Sequence, residues 1–363
     1  MRRGGEPIGP EGFDAAFGPL LPAPGSILLA VSGGPDSTAL LFACAAWARR
    51  HRVPAPAVAT VDHGLRAESR AEAEAVRVAA EGLGLRHHRL PWCGDRPLRP
   101  SQEAARRARY RLLAGLAAEI GSTALVTAHT LDDQAETVLM RVAAGSGLAG
   151  LAGMRPVVRP AHGIPHHRPF LGFTKAELVA TCRAGGWSFV EDPSNGDPRY
   201  ARARWRRLAA PLAAEGLDGR RLANLSLRAA RADAALDHTA AAAFARLGAE
   251  GHGTVRIDAR ALAAEPEEIA LRVLLLALGR TGEERTGGAP LRLERAEAAL
   301  AALLAASAAG QPRRRTLAGC LLALDGSGTL TLSPEPARRR GRSPVTPIAA
   351  ASPHSLGIGE ARP

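Results

Sequence analysis

The sequence predicts an α/β fold, with a doubly wound parallel sheet followed by a smaller, mainly helical domain. Short apolar runs, typical of buried strands, alternate with helix-like stretches over residues 26–144. Parallel sheets covered by helices on both faces produce this alternation. Polar clusters follow the first, second and fourth runs. Because ligands of such folds bind at the carboxyl ends of the strands, these clusters mark the predicted site.

The pattern bounds each predicted element. The strands cover residues 26–31, 57–62, 86–90 and 123–128. The helices that follow them cover residues 37–50, 67–82, 101–119 and 132–144. Residues 145–173 are rich in Gly, Pro and His and predict an irregular connection, after which 174–185 predicts a helix.

The remainder of the chain has a different composition. Residues from about 208 to 310 have an Ala/Leu/Arg pattern that predicts helices, and TLAGCLLALDGSGTLTLSPE predicts a terminal hairpin with DGSG as its turn. The segment that follows is low in large apolar residues and is expected to be disordered. The predicted organisation is an α/β domain (1–206), a mainly helical domain with the hairpin (207–333) and a tail (334–363).

Composition limits the class of protein. With 363 residues and 46% hydrophobic content, the chain can bury a sizeable core. No apolar run approaches the roughly 20 residues needed to cross a bilayer, and the first residues lack the apolar stretch of a signal peptide. We therefore expect a cytoplasmic protein with no membrane partner. Free thiols are expected at the four widely spaced cysteines: Cys44, Cys93, Cys182 and Cys320.

The charge of the chain predicts a polyanionic partner. The net charge is +12, and almost all basic residues are arginine, since Lys175 is the only lysine. Basic surfaces bind phosphate backbones by releasing counterions. Coding composition can also explain an arginine bias, but the sign of the charge is the same under either explanation.

The stretch SGGPDS lies between the first predicted strand and helix. Gly33 and Gly34 let backbone amides approach a ligand, and a helix N-terminus carries partial positive charge. Ser32 and Ser37 add hydroxyl donors, and Asp36 suits a helix cap or a Mg²⁺ ligand. The stretch predicts an anion cradle, with an ordinary capped glycine turn as the alternative. The lysine-containing phosphate loop is excluded because no lysine lies near.

A second polar cluster, AHTLDDQAET, follows the fourth predicted strand. His129, Asp132 and Asp133 are expected to face the same crevice as Asp36. Two carboxylates there suit Mg²⁺ or a substrate ammonium group, and N-capping of the helix by Asp132 is the alternative. Glu136, one turn after Asp132, is expected on the same side of that helix.

Arginines cluster at two places. One group shares a predicted helix: Arg106, Arg107, Arg109 and Arg111. The other group surrounds Tyr200 and Trp205: Arg199, Arg202, Arg204, Arg206 and Arg207. Charge combined with stacking surfaces suits folded RNA. A solvated basic helix face is the alternative for each group.

Histidines occur at two further places of interest. His63 follows the second predicted strand, where the base or ribose of a nucleotide would lie in this fold. His162, His166 and His167 flank a proline in a predicted loop and lack the partners of a zinc site. We predict a nucleotide contact for His63 and no function for the other three.

These motifs resemble a known family. SGGPDS resembles the pyrophosphate loop of the N-type ATP pyrophosphatase (PP-loop) superfamily, whose members cleave ATP between the α and β phosphates. Five further motifs are similar, in order, to the tRNA(Ile)-lysidine synthetase family: TVDHGLR (60–66), SQEAARRARY (101–110), TAHTLDDQAETVLMRVAAGSG (127–147), RPFLGFTKAEL (168–178) and WSFVEDPSNGDPRYARARWR (187–206). The chain departs from the family pattern at Thr130, where a second histidine is usual, and at Ala203, where asparagine is usual.

The resemblance implies a reaction. ATP adenylates the C2 oxygen of the wobble cytidine in an isoleucine tRNA with a CAU anticodon, and free lysine then displaces AMP to form lysidine. ATP and Mg²⁺ are implied as substrate and cofactor, and tRNA and lysine as partners. The oligomeric state is left open, with a homodimer among the alternatives.

The resemblance also implies site residues. The implied catalytic residues are Asp36, His129, Asp132, Asp133 and Arg106. The implied ATP-binding residues are Ser32, Gly33, Gly34, Pro35, Asp36, Ser37 and His63, with Asp36 as the Mg²⁺ ligand. The implied tRNA-binding residues are Arg199, Arg202, Arg204 and Arg206.

Two other functions are kept as alternatives. A tRNA thiolation enzyme of the same superfamily would need paired cysteines, which the cysteine spacing does not offer. A non-catalytic nucleotide- or RNA-binding relative has only the departures at Thr130 and Ala203 in its favour.

Overall fold

The computed structural model describes most of the chain. The described residues are 5–20, 25–62, 69–92, 102–159, 163–190, 201–281 and 291–336. The chain divides into two compact units, residues 1–238 and 239–363. The predicted disordered tail lies, from residue 337 onward, outside the described residues.

The first unit contains a six-stranded sheet and its covering helices. Its strands are β1 (Ile27–Ala30), β2 (Ala57–Asp62), β3 (His87–Pro91), β4 (Ala124–Thr127), β5 (Val157–Val158) and β6 (His166–His167). Its helices are α1 (Pro10–Phe17), α2 (Pro35–His51), α3 (Ser69–Gly82), α4 (Gln102–Glu119), α5 (Leu131–Ala143), α6 (Leu148–Leu151), α7 (Lys175–Ala184), α8 (Ala201–Ala214) and α9 (Gly219–Leu247), the last of which continues into the second unit. The four predicted strand–helix pairs are confirmed.

The strand order is β3-β2-β1-β4-β6-β5, and every pairing is parallel except that of β5 with β6. Leu29 of β1 lies beside Val58 of β2 and Val126 of β4. The chain therefore runs outward from β1 to β3 and then returns to the other side of β1 as β4. The position between β1 and β4 is the topological switch point at which such sheets bind ligands.

Side chains of β1 enter two separate cores because successive residues of a strand point to opposite faces. Leu29 belongs to a core that includes Phe17 and Trp47, whereas Leu28 belongs to one that includes Leu113 of α4. All five of these apolar side chains are almost fully buried. The two cores confirm that helices cover both faces of the sheet.

The segment 145–173 is more regular than predicted. It contains α6 and the two-residue strands β5 and β6, which extend the sheet beyond β4. His166 pairs in register with Leu125, and both His166 and His167 are buried. The prediction that these two histidines lie in a loop was therefore wrong, because a strand of two residues is too short to produce a detectable alternation.

The first unit extends past the boundary predicted at residue 206. Leu222 of α9 packs in one cluster with Ala135 and Val138 of α5, and Arg206 of α8 pairs with Glu136 of α5. Both α8 and the start of α9 therefore belong with the predicted site.

The second unit combines helices with a five-stranded antiparallel sheet. Its strands are β7 (Gly248–Gly251), β8 (Thr254–Asp258), β9 (Arg313–Leu317), β10 (Cys320–Leu324) and β11 (Thr329–Pro334), in the order β7-β8-β11-β10-β9. Its helices, besides the end of α9, are α10 (Ala259–Ala263), α11 (Glu267–Thr281) and α12 (Leu293–Ala308). The predicted terminal hairpin is confirmed as β10–β11. β7 and β8 lie within the stretch predicted to be helical.

None of the described helices has both the length and the apolar character that crossing a bilayer requires.

Candidate active site

The SGGPDS loop joins β1 to α2 at the carboxyl edge of the sheet. Gly33 has a φ of 88°, which side chains other than glycine rarely adopt. Gly34 has an ordinary φ of −71° and is the N-cap of α2. A Cβ at Gly34 would meet no described atom within 4 Å. The backbone therefore requires glycine at position 33, whereas Gly34 leaves open space beside the helix N-terminus.

Hydrogen bonds within the loop fix its shape. The backbone amide of Ser32 donates to Ser37 Oγ at 3.1 Å, and Ser37 Oγ donates to the carbonyl of Gly34 at 3.1 Å. The amide of Val190 donates to the carbonyl of Gly33 at 2.9 Å. The loop is thus held open at the start of a 17-residue helix, where unpaired amides and the helix dipole favour an anion.

Asp36 is the second residue of α2. Its Oδ1 atom is buried and has no hydrogen-bond partner among the described residues. Burial raises the pKa of Asp36 to about 6, with Lys175 opposing the rise and Asp133 and Asp132 adding to it. Buried polar atoms in native proteins almost always have partners, and unpartnered carboxyls with perturbed pKa values concentrate at functional sites.

The start of α5 explains the departure at Thr130. Thr130 is the N-cap, and its Oγ1 accepts a hydrogen bond from the amide of Asp133 at 3.3 Å. Asp133 Oδ2 in turn accepts from the amide of Thr130 at 2.9 Å, which completes a capping box. Threonine is a preferred N-cap residue. The alternative in which Asp132 caps the helix is therefore wrong.

Asp132 has another partner. Its Oδ2 atom accepts a hydrogen bond from the backbone amide of Lys175, the first residue of α7, at 2.7 Å. Thr174 caps α7 in a second capping box with Glu177. Asp132 thus ties the N-terminus of α7 to that of α5, and this contact positions Lys175 at the site.

Four carboxylates line one pocket of about 310 Å³ next to the loop: Asp36, Asp132, Asp133 and Glu136. Lys175 and Arg206 are the cations among the described lining residues. The apolar part of the lining comes from α5, α8, α9 and the connection between α8 and α9: Ala135, Leu139, Trp205, Ala209, Leu217 and Leu222. The pocket therefore has an acidic end and an apolar wall.

Arg206 lies between the carboxylates of α5. Its Nε donates to Glu136 Oε1 at 2.5 Å, and its Nη2 lies 4.0 Å from Asp133 Oδ1. Arg202 Nη1 lies 3.9 Å from the same Asp133 oxygen. Burial raises the pKa of Glu136, whose Oε2 is buried with no partner among the described residues. Arg206 therefore neutralises only part of the acidic end.

A second, basic group of residues lies beyond the end of β4. Burial lowers the pKa of His129 to about 3, and the charges of Arg168, Arg109, Arg106 and Arg202 lower it further. The rings of His129 and His166 have centroids 6.3 Å apart. Arg106 Cζ lies 5.0 Å from the centroid of the Tyr110 ring, which itself lies 5.4 Å from His166. His129 is therefore a neutral imidazole among arginines.

The structure thus brings together most of the predicted site. The SGGPDS loop, Asp36, Asp132 and Asp133 meet at one edge of the sheet, and His129 follows β4 at the same edge. His63, His162, Arg199 and Tyr200 lie outside the described residues. Arg204 is exposed on α8, while Ala203 is buried.

Sequence analysis missed several residues of the site. Lys175 and Leu222 line the pocket, and Thr127 and Arg168 contact the histidines. Trp205, predicted as a stacking surface for RNA, lines the pocket as well. The one signal available for Lys175 was its status as the only lysine in an arginine-rich chain. Lysine places a compact ammonium group on a flexible stem, and arginine does not replace it where geometry matters.

Comparison with known proteins places the chain in a class and then in a family. The PP-loop domain family matches residues 13–213, so the fold and the SGGPDS site are those of a PP-loop protein. The tRNA(Ile)-lysidine synthase of Methylobacterium sp. strain 4-46 is 54% identical over 348 residues, which cover 94% of this chain and 98% of that protein. The enzyme of the same name from Bradyrhizobium sp. strain BTAi1 is 46% identical over 348 residues, covering 92% and 96%. The chain belongs to the tRNA(Ile)-lysidine synthase family.

A solved structure shares the fold. The U34-tRNA thiolase of Methanococcus maripaludis superposes with a TM-score of 0.50 at 16% identity, covering 60% of this chain and 78% of that one. At this identity the likeness concerns the fold alone.

The raised pKa of Asp36 predicts how stability depends on pH. A carboxyl whose pKa is higher in the folded state than its ordinary 3.8 loses stabilising free energy as pH rises through about 6. Asp36→Asn removes this loss. The free energy of unfolding should therefore exceed that of the wild type by about 1–3 kcal/mol near pH 8, and the difference should shrink toward pH 4. Chemical denaturation over a pH series measures it.

Asp14→Asn is the control, because the pKa of Asp14 is shifted in the opposite direction to that of Asp36. Asp14 is a surface carboxyl whose pKa is lowered by hydrogen bonds from Arg50 and His51, so its replacement should not stabilise the protein near pH 8. An Asp36→Asn variant that is no more stable than the wild type near pH 8 would contradict the account of Asp36.

Proposed function

We propose that the chain ligates lysine to C2 of the wobble cytidine of a CAU-anticodon isoleucine tRNA in the cytoplasm. ATP is converted to AMP and pyrophosphate, and an adenylated tRNA is the intermediate. The acidic pocket beside the SGGPDS loop is the observation that carries this proposal, because it fits an amine substrate next to a phosphate site. Membership of the tRNA(Ile)-lysidine synthase family supports it.

The SGGPDS loop binds the phosphates of ATP in this proposal. Gly33 turns the chain, Gly34 leaves room for an oxygen to approach the backbone, and α2 directs its N-terminus toward the bound group. Fixed amides that face a leaving pyrophosphate stabilise its developing charge without reorganisation. The loop therefore contributes to the adenylation step as well as to binding.

The residues present also fit Mg²⁺. The unpartnered Oδ1 of Asp36 is a free carboxylate oxygen at the loop, and Asp132 and Asp133 line the same pocket. Mg²⁺ at nucleotide sites is usually bound by one or two carboxylates together with phosphate oxygens. Bound there, Mg²⁺ would supply charge neutralisation for the phosphates.

The pocket binds lysine in this proposal. Its four carboxylates exceed the charge of Lys175 and Arg206, which leaves capacity for one added ammonium group. The apolar wall suits the methylene stem of a lysine substrate, because aliphatic stems of lysine cover apolar surface. Glu136 Oε2 is a buried acceptor with no described partner, and it is the oxygen to which we assign the amino group of lysine.

The exposed face of α8 binds tRNA in this proposal. Arg204, Arg206 and Arg207 are all exposed on α8, and Arg206 pairs with Glu136 of the pocket. We assign phosphate contacts to Arg204 and Arg207, and Arg206 to the pocket, which narrows the basic group predicted from the sequence. Phosphate contacts position an RNA without reading its bases, so recognition of the anticodon needs other contacts.

A tRNA thiolation activity is the alternative, and the described cysteines do not favour it. Cys44, Cys182 and Cys320 are each buried and form no disulfide, and burial raises the pKa of Cys44 to about 12 and that of Cys182 to about 11. Buried thiols with such pKa values are inert as nucleophiles.

AMP release tests the function. The purified protein should form AMP from ATP only when both lysine and the CAU-anticodon isoleucine tRNA are present at turnover. AMP formation that does not depend on lysine but requires a sulfur donor would favour thiolation. Absence of AMP under every condition would favour a non-catalytic relative.

The same assay tests the lysine pocket. Glu136→Gln keeps the shape of the side chain but removes the charge that faces the proposed ammonium group. Because a hydrogen bond to a charged group contributes about 1.5–3 kcal/mol, the KM for lysine should rise by about tenfold or more. The KM for ATP should change by less than about twofold.

Glu177→Gln is the matched control for this prediction. Glu177 is a buried glutamate of α7, outside the lining of the pocket, and a glutamine can replace it in a capping box. Both KM values should stay at the wild-type level in this variant. Equal effects of the two substitutions on lysine would remove Glu136 from the pocket assignment.

The salt dependence of tRNA binding tests which arginines of α8 contact tRNA phosphates and which belongs to the pocket. Arg204→Ala should weaken tRNA binding and lower the slope of log Kd against log salt by about 0.7–0.9, the contribution of one phosphate contact. Arg206→Ala should leave that slope unchanged, because the guanidinium group of Arg206 pairs with Glu136 in the pocket. Filter binding across a salt series measures both variants, and a slope that falls only in Arg206→Ala would reverse the assignment.

A further inference from the structure

Four residues beyond the acidic pocket are joined by hydrogen bonds. Arg168 Nη2 lies 3.2 Å from His166 Nδ1, and His166 Nε2 lies 2.8 Å from Thr127 Oγ1. The same Thr127 oxygen lies 2.8 Å from His129 Nδ1. The chain of contacts therefore runs from a buried arginine on the segment after β6, through β6 and the end of β4, to His129.

The arginine fixes the direction of the first contact. A guanidinium group has donors only and keeps its proton in proteins. Arg168 is buried, and its Nη1 also donates to the carbonyl of Arg155 at 2.7 Å, which anchors the group. His166 Nδ1 must accept from Arg168. In a neutral imidazole the proton of His166 then lies on Nε2.

The direction continues through Thr127. His166 Nε2–H donates to Thr127 Oγ1, so the threonine hydroxyl must place its own proton elsewhere. Thr127 is 1% exposed, and the two imidazoles are the hydrogen-bond neighbours that the described residues give to its hydroxyl. If both imidazoles donated, a buried hydroxyl proton would have no acceptor, which costs free energy. The hydroxyl therefore donates to His129 Nδ1.

Both histidines are neutral in this environment. Burial lowers the pKa of His166 to about 3, as it does for His129, and nearby arginines lower both values further. An imidazole that accepts at Nδ1 and is uncharged carries its single proton on Nε2.

We propose that Arg168, His166 and Thr127 are positioning residues that hold His129 as the Nε2–H tautomer, a hydrogen-bond donor to an acceptor oxygen of the substrate. The described residues offer His129 Nε2 no hydrogen-bond partner, and the surrounding charges of Arg106, Arg109 and Arg202 favour a ligand that is rich in negative charge. His129 then supplies a fixed donor and does not act as a base through Nε2. Its role in turnover rests on the proposed function, whereas its tautomer does not.

The tautomer is measured directly by NMR of the imidazole nitrogens. With ¹⁵N-labelled histidine, His129 should show a protonated Nε2 and an unprotonated Nδ1, its signal being identified by its loss in His129→Asn. Thr127→Val keeps the branched shape but lacks the hydroxyl, so a population of the Nδ1–H tautomer should appear. Thr127→Ser, which restores the hydroxyl, should restore the single tautomer.

Turnover gives the second measurement. A hydrogen bond of ordinary strength sets the tautomer, so Thr127→Val should lower kcat by about tenfold while the KM for ATP and lysine stay within about twofold. Thr127→Ser should recover kcat. His166→Phe, which keeps a ring against Tyr110, should resemble Thr127→Val and provides the test if the valine variant does not fold.

His167→Phe is the matched control. His167 is the adjacent residue of β6, is equally buried and points to the other face of the strand, so the same substitution there should leave kcat and the His129 tautomer unchanged. A wild-type His129 protonated on Nδ1 would overturn the proposal, as would unchanged kcat in a variant whose tautomer has shifted. Failure of the proposed function would appear separately, as a wild type that makes no lysidine while its His129 tautomer is as expected.

Discussion

β1 pairs in parallel with β4 through residues 27–30 and 124–127, and every group of the site depends on this pairing. It places the end of one strand, with the SGGPDS loop, beside the end of the other, with His129 and the start of α5. Asp36 and the carboxylates of α5 then share one pocket although about a hundred residues separate them. On its other side β4 pairs with β6, which brings His166 of β6 within hydrogen-bond distance of Thr127 of β4.

Acidic and basic side chains lie at different places along the carboxyl edge of the sheet. The pocket beside the loop is lined by more acids than cations, and two of those acids, Asp36 and Glu136, each have a buried oxygen with no described partner. The region beyond β4 collects arginines around a neutral His129. An amine substrate and an anionic nucleic acid thus have separate electrostatic environments within one unit. This separation lets lysine and tRNA bind to the same unit without competing for the same charges.

The sequence predicted those parts whose signals are local and long enough to be read. Alternating apolar runs correctly predicted the four strand–helix pairs of a parallel sheet, and SGGPDS and LDD were placed correctly at strand ends. β6 was missed because two residues show no alternation, and with it the partners of His166. Lys175 was missed because a backbone contact to Asp132 across 43 positions places it. β7 and β8 were missed because alanine-rich helices dominate the composition on either side.

The product itself tests the central claim most directly. CAU-anticodon isoleucine tRNA is incubated with the protein, ATP and isotopically labelled lysine, and its nucleosides are then separated and identified by mass spectrometry. The account predicts one labelled lysine joined to the wobble cytidine, with an equal amount of AMP formed. Labelled lysine absent from that nucleoside, or a sulfur-containing nucleoside in its place, would contradict the account.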